Sequence, residues 1–135
     1  MSRKLFLTIV SVIALSVGAF ALAAPATLLE SKGGAPSVAA LIWIREVGIM
    51  LVAIGFMAGL VRTQPDSRSL KAFLIGNLII QIGLLPIELT GYANGVLTKF
   101  SGIAPNSLLH VMLAFGFAYF ALKIRTVDHQ PGEIR

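Results

Sequence analysis

Four long apolar stretches divided by short polar ones set the plan of this chain. Leu5 to Ala24 runs 20 residues without a charge, which at about 1.5 Å per residue is one hydrocarbon thickness. The same pattern predicts further helices over Val38–Val61, Leu70–Leu89 and Leu108–Ile124. The predicted fold class is therefore all-α: an integral membrane bundle of four antiparallel helices, one domain over residues 1–135.

The connectors carry turn chemistry. Residues 25–37 contain Pro25, Gly33-Gly34 and Pro36 and read as a turn-rich first loop. Residues 62–71 place Arg62, Arg68 and Lys71 around a Pro65-Asp66 turn. Residues 91–106 mix Asn and Gly with Val96, Leu97 and Phe100, a pattern that suits a loop lying along the membrane interface. Pro86 lies inside the third span and leaves the Ile82 carbonyl without its usual donor, so a bend is expected there.

Charge orients these spans. On this layout Arg3, Lys4, Arg62, Arg68, Lys71, Lys123, Arg125 and Arg135 fall on one side, and only Lys32 and Lys99 in the opposite loops. Eight against two, with Arg45 left aside, places both termini in the cytoplasm. Ala21 and Ala23 also form an A-x-A pattern, which offers the alternative of a cleaved signal peptide. The apolar run exceeds the usual signal core of about 7 to 15 residues, so a retained first helix is the expectation.

Composition narrows the class further. The chain is 56% hydrophobic and 13% charged with a mean hydropathy of +0.87, which excludes an ordinary soluble domain and makes the lipid bilayer its first partner. Its net charge of +5 sits at helix ends with no aromatic–basic face, so a nucleic-acid partner is not expected. With no cysteine, disulfides, thiolate metal sites and thiol redox chemistry are excluded.

The candidate chemistry lies in the spans. Arg45 and Glu46 stand about two turns inside the second helix, Glu88 in the last turn of the third, and His110 in the first turn of the fourth. Together with Gln81 these five residues form the candidate polar pocket in the outer leaflet. An ionic group deep in a span costs about 2.5 to 3.5 kcal/mol on insertion scales and normally finds a partner, so an Arg45–Glu88 pair is expected. The alternatives are an Arg45 that snorkels to the interface and an interfacial Glu88. Asn77 and Gln81 continue the Glu88 stripe toward the bilayer centre. Gly48, Gly55 and Gly59 form a small-residue stripe on which another helix can pack.

Other chemistry lacks its residues. HExxH, Walker, GxGxxG and GxSxG patterns are missing. One membrane histidine cannot supply both axial ligands of a haem b, and too few acids and histidines gather for a zinc site. Neither a metal nor a resident cofactor is expected, and no catalytic residue is assigned.

The strings GAFALAAPATLLE, WIREVGIMLVAIGFMAGLVR and LLHVMLAFGF together resemble the DoxX-like group of small four-helix bacterial membrane proteins. The resemblance implies a bacterial inner-membrane protein whose first helix is retained and ends at the Ala24-Pro25 step. It carries Arg45, Gly48 and Gly55 over as family positions. Some members of the group accompany quinone-linked oxidoreductase subunits; this chain departs from a redox role in lacking cysteine and a second membrane histidine. Three functions then compete: a non-enzymatic accessory or scaffold subunit whose glycine faces and interfacial loop dock a larger membrane partner, a small dimeric transporter or proton-coupled carrier using Glu88, and a quinone-site subunit using Arg45 and His110.

Overall fold

Serine begins three of the four long helices. Ser2, Ser37 and Ser67 are extended at the N-cap and accept from the backbone N–H groups of Leu5, Ala40 and Leu70 at 3.1 to 3.2 Å, each satisfying one orphan donor of a first turn. The computed structural model describes residues 1–125 as α1 (Arg3–Ala23), α2 (Pro25–Ser31), α3 (Val38–Val61), α4 (Arg68–Ala93) and α5 (Phe100–Lys123), with no strand among the described residues. Four of these helices are long and apolar enough to cross a membrane. The polar tail with His129 and Arg135, expected in the cytoplasm, lies outside the described residues.

Three expected boundaries need correction. The first loop contains a helix, α2, because Pro25 occupies its first turn, where a missing N–H costs nothing. The third span covers the expected 70–89 and extends beyond it, from Arg68 through Pro86 to Ala93. The fourth begins at Phe100 rather than Leu108, with Pro105 inside its early turns, so most of the expected interfacial loop is helix. Glycine makes the short turns that follow α2 and α4. Gly33 (φ 78°) and Gly95 (φ 71°) take the left-handed conformation after α2 and α4. In each, the following N–H reaches back five residues, Gly34 to the Leu29 carbonyl and Val96 to the Gly91 carbonyl, which closes the helix end with its orphan carbonyls satisfied.

The bundle is built from two close pairs of helices. α1 packs along α3, and α4 along α5, whereas contact between the pairs is sparse. In the first pair Gly18 faces Gly48 and Gly55 faces Leu15 and Ser11, so the two helices run in opposite directions. Ser11 Oγ, buried in this seam, donates to the Gly55 carbonyl at 2.7 Å. The Gly48–Gly55–Gly59 stripe thus meets α1 of the same chain, so it is not a face on which a separate protein docks, as the scaffold reading had it. Bare glycine faces lie elsewhere: Gly76 and Gly83 on α4 have nothing within 4 Å.

One end of the bundle is filled and the other is hollow. Phe6, Leu7 and Val10 pack with Ala58, Leu70, Leu74, Phe117, Phe120 and Ile124 in the main core; the rings of Phe6 and Phe117 meet edge to face at 5.1 Å. At this end Arg3 pairs with Asp66 and donates to the Gln64 carbonyl, and the Arg125 N–H reaches the other Asp66 oxygen. The Arg3 guanidinium, and next the Arg125 N–H, hold the Asp66 carboxyl below its ordinary pKa. A carboxyl depressed on folding stabilises the folded state above its unfolded pKa of about 3.9, and that contribution disappears as pH falls through the folded value. Thermal melts between pH 7 and pH 3 should therefore show Asp66→Asn less stable than the parent at pH 7 and converging with it in acid. A constant difference over that range would show that Asp66 acts through its shape alone.

Candidate functional site

At the hollow end, α4 presents Asn77, Gln81 and Glu88 along one face, spaced by four and seven residues. α5 brings Asn106, Ser107 and His110 opposite them, and Lys32, the C-cap of α2, reaches in from above. Glu88 is the anchor, with 7% of its side chain exposed. Its Oε1 accepts from Lys32 Nζ at 2.5 Å and from Asn106 Nδ2 at 3.0 Å, and its Oε2 accepts from Ser107 Oγ at 2.7 Å. Stripping water from a carboxylate costs several kcal/mol, which only a close counter-ion and filled lone pairs offset. Glu88 has both.

The hydrogen-bond order continues outward from there. One Asn106 N–H serves Glu88, and the amide nitrogen also meets His110 Nε2 at 3.0 Å. His110 Nδ1 lies 2.6 Å from Gln81 Oε1. Since Asn106 Nδ2 can only donate and Gln81 Oε1 can only accept, the self-consistent assignment puts the imidazole proton on Nδ1 and leaves Nε2 as the acceptor. The chain Lys32–Glu88–Asn106–His110–Gln81 then has one direction of donation at each link.

Below the network a cavity of about 230 Å³ lies among all five helices. Val10, Ala14 and Val17 of α1 and Val47, Leu51 and Ile54 of α3 make apolar walls, while Asn77, Gln81, Asn106, His110 and Lys32 give one polar side. Asn77 Nδ2 donates to the Phe73 carbonyl at 2.9 Å, but its buried Oδ1 has no partner.

Three of the five expected pocket residues, Gln81, Glu88 and His110, come together here. Arg45 and Glu46 do not: both are exposed on the outside of α3, beside exposed Ile42, Trp43 and Ile49. The expected Arg45–Glu88 pair is corrected to Lys32–Glu88. Arg45 stands one residue past half-buried Ile44 and is exposed, on a different face of α3 from the glycines that meet α1. Lys32, placed in an outer loop by its charge, lowers its four-carbon stem into the bundle. Asn106 and Ser107 were missed too; their signal was spacing, since they precede His110 by four and three residues on one helix face.

No protein-family model, curated protein or solved structure compared with the chain matches it. What the site can do is therefore read from its geometry. Ser107 donates to the Glu88 carboxylate, which Lys32 and Asn106 also hold. Among the described residues no three His, Asp or Glu side chains are grouped to hold a metal ion. Glu88 is tied down by three residues, an arrangement that suits positioning better than repeated loading and release of a proton.

Proposed function

We propose that this chain is a multi-pass membrane protein of the bacterial inner membrane, its four long helices antiparallel and its termini cytoplasmic, serving as a non-enzymatic accessory subunit docked on another membrane protein. One observation carries the reading. Arg45 and Glu46 lie about 10 Å inside a span-length helix, point out of the bundle, and have no hydrogen bond or ion pair among the described residues. Charged side chains at such depth are costly in lipid and find partners in protein. Here the bundle offers none, and the surrounding apolar face of α3 is open for a partner helix that carries complementary charge. The DoxX-like resemblance of the WIREVG segment agrees with this role, and association with a quinone-linked complex rests on that resemblance.

A photo-crosslinking residue at Ile42 or Ile49, activated in native membranes, should give a discrete adduct heavier than two copies of the chain. Arg45→Ala with Glu46→Ala should abolish it while leaving membrane insertion intact. Adducts with lipid only would defeat the accessory reading. An adduct of two copies would favour the dimeric carrier instead.

A further inference from the structure

The polar side of the cavity is incomplete in a specific way. Asn77 is 5% exposed, and its Oδ1 is an acceptor without a donor. One turn along α4, Gln81 uses Oε1 to receive the His110 N–H, which leaves its amide nitrogen as a donor with no protein acceptor on the cavity side. Beside them the Lys32 ammonium and the Asn106 amide nitrogen are held by Glu88, and both His110 ring nitrogens by Asn106 and Gln81. A missing donor and a missing acceptor one turn apart, with aliphatic walls around them, specify what fits. A carbonyl can satisfy Gln81 only, an ammonium Asn77 only, and a hydrocarbon neither; a hydroxyl satisfies both.

Volume and access agree. A dry cavity of about 150 Å³ suffices for benzene, so about 230 Å³ admits a ring with a short alkyl group. α3 and α4 are not packed along each other, and two residues that line the cavity, Val47 and Ile80, are also 47% and 39% exposed on the outer surface. A ligand can therefore enter sideways from the hydrocarbon. We infer that the cavity is a binding site for a small lipophilic compound with a single hydroxyl group, an alkylphenol or an alcohol of that size, held by the Asn77 and Gln81 amides. This inference is independent of the accessory role, which concerns the outside of α3.

The test uses the full chain in lipid nanodiscs with 4-propylphenol and propylbenzene as probes, read through the side-chain amide NMR signals of Asn77 and Gln81. The phenol should shift both signals saturably and bind about thirtyfold more tightly than propylbenzene, the value of two buried neutral hydrogen bonds. Asn77→Leu should reduce that preference about five- to tenfold, and Ala14→Phe, which fills the cavity, should remove binding of both probes. Should Ala14→Phe fail to fold, Val17→Phe serves the same purpose. Equal affinity for the two probes overturns the inference, as does phenol binding that persists in the filled variant. Absence of saturable binding by either probe also overturns it, and identifies the cavity as a water site.

Discussion

Lys32→Met should cost on the order of 3 kcal/mol of folding free energy, because it leaves Glu88 charged and buried with no counter-ion. The figure sits at the low end for broken buried pairs because 23% of the Lys32 side chain is exposed while Glu88 keeps 7%. Glu88→Gln alone should also destabilise, since an amide in that position turns a donor toward Lys32 or Asn106. The double variant should cost clearly less than the sum of the two, as for any pair in contact. Combining Arg45→Ala with Glu88→Gln should give simple addition, because Arg45 lies outside the bundle. Unfolding by SDS in mixed micelles measures all four. A Lys32→Met protein within about 0.5 kcal/mol of the parent, the range of ordinary surface changes, would show that Ser107 and Asn106 suffice to hold the carboxylate.

The second large effect is expected at Gly18. A Cβ there would lie 2.8 Å from the Gly48 carbonyl oxygen and 2.9 Å from the Val52 nitrogen. Both are backbone atoms, so no rotamer relieves the overlap and the two helices must separate. Gly18→Val should therefore lose on the order of 3 kcal/mol, at or above the upper range for overpacking, and should weaken crosslinking between α1 and α3. Gly76→Val and Gly83→Val on α4 are the controls. With nothing within 4 Å of either glycine, each should stay within about 0.5 kcal/mol of the parent. If all three variants behave alike, the seam is not what joins α1 to α3.

The long helices were legible because an apolar run of span length, bounded by turn formers or charge, has few other solutions. The short ones were not. Residues 25–31 are too few to show a period, and Pro25 signals a stop and a start equally well. Residues 100–107 looked like a loop because Gly102, Pro105 and Asn106 are turn formers, yet Gly102 is where α5 passes closest to the α2 end: a Cβ would meet the Ser31 carbonyl at 2.2 Å. Position along the helices could be read from sequence, and Glu88, Gln81 and His110 do share one hydrogen-bonded network. Direction around the helix was misread for Arg45: one turn before Gly48, it was expected to follow the glycine stripe toward the protein, but α3 meets α1 through those glycines and leaves Arg45 exposed. Lys32 was hidden by its flexibility: nothing in a loop lysine announces that its ammonium points inward.

The pairing of helices by sequence neighbourhood bears on how the chain enters a bilayer. α1 and α3 close a glycine seam on each other, and α4 and α5 pack along each other, with little contact between the two pairs. A ribosome-bound chain could thus release one finished hairpin into lipid while the next is still being made. The two hairpins are tied together where the Lys99 N–H donates to the Lys32 carbonyl and Thr98 Oγ1 to the Gly33 carbonyl. Lys32 sits in that junction, so the charge that neutralises Glu88 arrives only on assembly of the two hairpins. Until then the second hairpin carries an unmatched carboxylate, the kind of mark by which a membrane quality-control protease can tell a half-built bundle from a finished one.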